Sequence, residues 1–253
     1  MPRRTTLLAL LAATVLLPTA TLAQAALDDI AIPTDFPPYG FVGTDLKPQG
    51  LDVDMAHYIA AKLGAKVELV VVTSANRIPY LQTKKADLVI STLGKNAERE
   101  KVIDFSAAYS PFFQAVFATK ATPIKGAADL AGKSVGVTRG AIEDLELTKI
   151  APASADIKRF EDNNATVSAF VSGQVQVIAT GASVAGNLMA RNPQLGTEYK
   201  FVLKDSPNFI GVAKGEDKLR ARVNEIIAAA KASGDLDKLA QKWLGRPAGD
   251  LPN

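Results

Sequence analysis

Along this chain, short apolar runs alternate with stretches whose apolar residues recur every three or four positions. Residues 66–72 (KVELVVV) and 86–91 (ADLVIS) read as buried strands, as do 134–137, 156–160 and 176–180. Helical periodicity fills the gaps at 53–63, 79–85, 142–149, 164–172 and 183–190. Such alternation predicts an α/β fold with mostly parallel strands covered by helices on both faces. Towards the C-terminus, Leu219, Val223, Ile226, Ile227 and Ala230 form one helical stripe that Gly234 ends. Leu236, Leu239, Ala240, Trp243 and Leu244 form a second, ended by Gly245. Two β-like segments, 114–119 and 208–213, sit where the chain could cross between two lobes. The expected division is 26–117 with 208–253 as lobe 1 and 118–207 as lobe 2.

The N-terminus breaks the alternation. Arg3 and Arg4 precede an apolar run from Leu7 to Leu17, and Ala23-Gln24-Ala25 follows as a small-x-small cleavage site. Residues 1–25 therefore read as a secretory signal peptide, too short to span a bilayer stably. Losing Arg3 and Arg4, with no acid, lowers the net charge from +3 to +1. That weak charge, without a basic stripe or interleaved aromatics, speaks against nucleic acid as a partner. The chain has no Cys and one His. These counts exclude a disulfide scaffold, a Cys-ligated metal and a thiol nucleophile, and disfavour a Ser-His-Asp relay. No metal or cofactor is expected.

The candidate chemistry lies in loops that follow strands. In an open α/β sheet, ligands bind outside the carboxyl ends of the strands. Phe36-Pro37-Pro38-Tyr39-Gly40-Phe41 could cover the face of a small ligand. Ser74 and Arg77 follow the 66–72 strand. Ser91, Thr92, Gly94 and Arg99 follow the next, with a short helix expected from Asn96. Arg139, Ala141, Ile142 and Glu143 repeat the arrangement, with a helix start near Ile142. Arginine presents a planar fork that matches a carboxylate, and helix N-termini favour anions. Asp52 is expected to cap a helix beginning at Val53, and His57 to lie at the edge of its apolar face.

Together, DFPPYGF (35–41), GLDVDMAHYIAAKLG (50–64), NRIPYLQTKKADLVIS (76–91), ERE…IDFS (98–106), DLAGKSVGVTRG (129–140) and KLAQKWLG (238–245) resemble the family 3 extracellular solute-binding proteins of polar-amino-acid ABC transporters. The resemblance covers nearly the whole chain after residue 25. It implies a periplasmic binding protein type II fold: two α/β lobes joined by two hinge strands, closing on a ligand. It also implies that Arg99 clamps the ligand carboxylate, with Thr92 and Gly94 beside it. Phe36 stands at the aromatic cover, and Ser74 and Arg77 at the positions that reach the ligand side chain. The second lobe departs from the family pattern. Ala141-Ile142 replaces a Thr-Thr pair, and Gly181 stands where an Asp usually meets the ligand ammonium. Glu143 or Asp144 could take over that role, and an Asp placed at 181 is expected to restore it.

The implied function is a periplasmic binding component, monomeric and not an enzyme. It would deliver a small carboxylate-bearing solute, a polar or acidic amino acid first of all, to a permease in the inner membrane. Two rivals stand beside it. One is a dehydratase of the cyclohexadienyl/prephenate type on the same fold, with Glu143 as its acid. The other is a binder of an amine-free organic acid.

Overall fold

The computed structural model describes residues 29–252; the expected signal peptide lies outside them. The first half of the chain contributes β1 (Asp29–Ile32), β2 (Asp35–Phe36), β3 (Gly40–Val42), β4 (Pro48–Gln49), α1 (Leu51–Leu63), β5 (Glu68–Val71), α2 (Arg77–Gln82), β6 (Leu88–Leu93), α3 (Ala97–Glu100) and β7 (Ile103–Ser110). After them come β8 (Phe113–Thr119), β9 (Ser134–Thr138), α4 (Ile142–Ile150), β10 (Asp156–Phe160), α5 (Asn163–Val171), β11 (Val177–Gly181), α6 (Ala182–Arg191) and β12 (Thr197–Asp205). The chain ends with β13 (Asn208–Ala213), α7 (Asp217–Ala232) and α8 (Asp235–Leu244).

These elements build two α/β lobes, each around a five-stranded sheet: β5-β1-β6-β13-β7 and β10-β9-β11-β8-β12. In each sheet one strand runs against the others, β13 in the first and β8 in the second. Both follow a crossing between lobes, so the chain enters each sheet from the cleft end. The first crossing is Pro111-Phe112, earlier than the expected boundary after 117, because β8 pairs along its length with β12 and from Gln114 with β11. The second is Ser206-Pro207. The two crossings touch: the Ser206 N–H donates to the Phe112 carbonyl at 3.2 Å.

Packing follows the sequence stripes. Val223, Ile226, Ile227 and Ala230 of α7 and Leu236 and Ala240 of α8 are buried against α1 and the first sheet. Each such side chain contributes roughly 1.5–3 kcal/mol when fully buried. Asp54 ties α1 to α8, accepting from Trp243 Nε1 at 2.7 Å and pairing with Lys242 at 2.6 Å. His57 is exposed. The short strands β2, β3 and β4 and the two longest strands, β7 and β12, escaped the periodicity reading. β7 (IDFSAAYS) sets Ile103, Phe105 and Tyr109 among Ser and Ala, and β12 (TEYKFVLKD) is a half-exposed edge strand whose charges guard it against foreign pairing.

Candidate functional site

The site grows from the carboxyl end of β6. Helix α1 starts at Leu51, after Gly50 at φ +134°, where a Cβ would lie 2.2 Å from the Tyr39 carbonyl oxygen. Asp52 therefore falls inside the first turn and is not the cap expected of it. Its carboxylate points inward and is fully buried. Oδ2 accepts from the Thr92 N–H at 2.7 Å and the Thr92 hydroxyl at 2.9 Å, and Oδ1 from the Tyr109 hydroxyl at 2.6 Å. Burial pushes this carboxyl up to about 6, while Tyr109, Thr92 and the Arg77 charge pull it down. Thr92 sits at φ +46°, a left-handed conformation costly for a β-branched residue. The grip of Asp52 on both its donors offsets that strain.

The bend at Thr92 turns carbonyl groups towards two buried arginines. Arg77 Nη1 donates to the Ser91 carbonyl at 2.5 Å, and its Nε is buried without a hydrogen-bond partner among the described residues. Arg99, in α3, donates from Nη1 to the Gly94 carbonyl at 2.6 Å and from Nη2 across the cleft to the Gly140 carbonyl at 2.9 Å. Asn96 caps α3 by accepting from the Arg99 N–H at 2.9 Å. Each arginine is 3% exposed. Burial lowers the pKa of both, and the Arg77 charge lowers Arg99 further, yet both stay cationic at neutral pH.

From the second lobe, Glu143 faces them. It lies in the first turn of α4, 2% exposed, with Oε1 buried and without a hydrogen-bond partner among the described residues. Burial raises its carboxyl to about 7 against the pull of Arg77 and Arg99. Asp144, the alternative named for the ammonium, is already committed: it accepts from the Gly140 N–H at 3.0 Å and from Arg159 Nε at 2.9 Å. Ala141 is the cap residue of α4, and the Ile142 side chain packs on Gly94. Gly140 closes on Ser74 and Ala75. Asp35, whose charge also acts on Arg77, accepts at Oδ2 from the Asn163 N–H at 2.8 Å and Nδ2 at 2.9 Å, and Asn96 Nδ2 donates to Glu146 Oε1 at 3.4 Å, further bonds between the lobes.

The structure thus brings Ser74, Arg77, Ser91, Thr92, Gly94 and Arg99 together with Ala141, Ile142 and Glu143. It does not bring in Arg139. That side chain is exposed, because β9 sends Thr138 inward to Asn163 and Thr166 and the next residue outward. Phe36 and Tyr39 pack with Phe112 as three mutually tilted rings, with centroids 5.3–6.3 Å apart. Tyr39 donates its hydroxyl to the Pro111 carbonyl at 2.8 Å. Sequence reasoning missed Asp52, Tyr109 and Phe112; the only available signal was an acid at an apolar position of α1.

The aromatic trio also corrects the expectation for Gly181. A Cβ there would lie 2.3 Å from Phe112 Cζ and 2.9 Å from Phe36 Cζ. The rings occupy the space an aspartate would need.

The profile of the bacterial extracellular solute-binding proteins, family 3, matches residues 29–246, and the chain belongs to that family. The ABC transporter glutamine-binding protein GlnH of Bacillus subtilis is 28% identical over 200 residues, covering 78% of this chain and 72% of GlnH. The structure of an ancestral arginine-binding protein bound to arginine is 33% identical, with a TM-score of 0.81, covering 87% of this chain and 99% of that one. The ancestral amino acid-binding protein AncCDT-1, a precursor of cyclohexadienyl dehydratase, is 30% identical with a TM-score of 0.76, covering 86% and 95%.

Two predictions follow from the buried groups. The unfolded chain releases the Glu143 proton near 4.5 and the folded chain near 7. More protons are bound in the folded state between those values, so stability falls as pH rises through them, by on the order of 3 kcal/mol. Asp52 acts in the same direction between 3.8 and about 6. Urea unfolding of the ligand-free protein at pH 5 and pH 8 should show Glu143→Gln to be more stable than wild type at pH 8, with a shallower decline. Equal declines would remove Glu143 as the cause. Gly181→Asp should lower the melting temperature and gain no affinity for amine-bearing ligands; a variant as stable as the parent would show that the rings yield.

Proposed function

We propose that the protein is a periplasmic binding component of an ABC transporter that closes two lobes, 29–110 with 208–252 and 113–205, on a small carboxylate-bearing solute. Polar and acidic amino acids are the first candidates, and a permease of the inner membrane is the receiver. Export would use residues 1–25, with cleavage after Ala25. The observation that carries this reading is the pair of buried guanidinium groups, Arg77 and Arg99, at the carboxyl end of one sheet with the buried acid Glu143 opposite. Arg77 and Arg99 face Glu143, and the charges of Asp35 and Asp52 also reach Arg77; what favours a carboxylate-bearing ligand is the pair of guanidinium forks. The bent strand end and the α3 cap fix the forks before the ligand arrives, which lowers the entropy lost on binding. With Glu143 ionised the site suits a zwitterion, and with Glu143 protonated it suits an anion.

Arg99 is the residue to test. A hydrogen bond to a charged group contributes about 1.5–3 kcal/mol, and every 1.4 kcal/mol is roughly tenfold in affinity. Arg99→Ala should weaken ligand binding at least ~10-fold in calorimetry, with native circular dichroism. Arg99→Lys should recover only part, because a point charge cannot reproduce the fork. Unchanged affinity in Arg99→Ala would remove it from the site.

One observation favours a catalytic reading. A buried glutamic acid about half protonated near pH 7, beside two guanidinium groups, is equipped to protonate a leaving group on a carboxylated substrate. AncCDT-1 is a precursor of such an enzyme. Incubation with prephenate should yield no phenylpyruvate if binding is the whole activity. Product that disappears in Glu143→Gln would make the protein a dehydratase.

A further inference from the structure

The third polar side chain at the cleft end of lobe 2 is Gln114. It is the second residue of β8, just past the first crossing, and only 1% exposed. Its Oε1 is buried and has no partner among the described residues. Buried acceptors in native proteins almost always find a donor, so an orphan at a cleft points to a group supplied from outside the chain.

Register says where Gln114 faces. It stands opposite Gly181 in the antiparallel β8–β11 pair, so both positions lie on the same face of the sheet. Further along that face, Val116 and Ala118 of β8 and Val177 and Ala179 of β11 pack into one apolar cluster with Leu147 of α4. Gln114 and Gly181 are the last pair of the row, where it meets the aromatic rings and the first turn of α4 that carries Glu143. Gly181 contributes no side chain, and on the other side of β8 the residue opposite Gln114 is Lys204 of β12, whose charge acts on Glu146 of α4, so Gln114 is the uncharged polar group of this row. Its electrostatic character also differs from that of Glu143, whose charge is answered by Arg77 and Arg99. A carboxamide is neutral and answers to a donor of any charge.

We propose that Gln114 receives the hydrogen-bond donor on the ligand carbon next to the carboxylate, and that the site therefore takes 2-hydroxy carboxylates as well as 2-amino carboxylates. The proposal rests on the reading above, in which Arg99 and Arg77 hold the carboxylate. Gln114 is a specificity residue here, and it accepts the same bond from an ammonium or a hydroxyl. A carboxylate in its place would favour the ammonium.

The test is calorimetry with matched probes: L-glutamate with 2-hydroxyglutarate and glutarate, L-aspartate with malate and succinate, and L-alanine with lactate and propionate. Wild type should bind the amino and hydroxy members of its preferred set within about tenfold of each other. Gln114→Leu, or Gln114→Met if the first does not fold, should weaken both by tenfold or more and leave the unsubstituted acid unchanged. Gln114→Glu should shift the amino-to-hydroxy ratio by at least tenfold towards the amine, a change that a purely structural role would not produce. Discrimination beyond 100-fold against the hydroxy member in wild type overturns the proposal. So do Gln114 variants that bind every probe as wild type does, while Arg99→Ala still abolishes binding and keeps the carboxylate reading intact. If no probe binds wild type, or Arg99→Ala binds like it, the carboxylate reading itself fails and takes the proposal with it.

Discussion

The arrangement of the cleft depends on one buried anion, the Asp52 carboxylate. It holds the end of β6 through both donors of Thr92 and is braced from behind by Tyr109. A strand would ordinarily run on or turn at a glycine. Here a threonine is kept in a left-handed conformation, and the resulting bend sets the carbonyl groups of Ser91 and Gly94 where Arg77 and Arg99 need acceptors. The guanidinium groups are thereby fixed by backbone, and none of their capacity for a bidentate partner is spent on a carboxylate of their own lobe. An asparagine in place of Asp52 would keep the shape but could not accept from all three donors with both oxygens.

The two lobes divide the electrostatic work. The first supplies the two cations with Asp52 beneath them, and the second an acid that burial raises to about 7. Desolvation makes each of these groups costly by itself, and their mutual attraction offsets part of that cost only when the lobes meet. The three groups are electrostatically coupled across the cleft: the Arg77 charge lowers the Arg99 pKa, and both guanidinium groups pull the Glu143 carboxyl down.

Much of the architecture was legible in the chain because amphipathic periodicity survives wherever an element buries one face. The helical stripes of α7 and α8 and the apolar runs of β6 and β9 are instances; β5, read as a buried strand, is instead an edge strand with Glu68 and Val71 exposed. β7 and β12 were not read from the chain: β7 does alternate, with Ile103, Phe105 and Tyr109 on one parity, but its Ser and Ala residues weaken the apolar signal, and β12 is a charged edge. At the site, strand-end loops pointed to Arg77, Arg99 and Glu143. Asp52 was misread because an acid in the first turn of a helix looks like a cap until the partner strand is in place. Arg139 was misread by one step of strand alternation. The incompatibility at Gly181 depends on Phe112, a residue 69 positions away, and no local pattern announces it.

The bond between Asp35 and Asn163 joins the same two lobes, and the Asp35 charge also acts on Arg77. Its energy belongs to the closed form whatever solute occupies the cleft. Apparent affinity scales with the fraction of molecules already in the binding-competent form. Asp35 thus has two separable effects: Asp35→Asn would weaken the bond between the lobes and also remove a negative charge that acts on Arg77. Asn163 carries no charge, so a change there would alter that bond and leave the field at Arg77 in place.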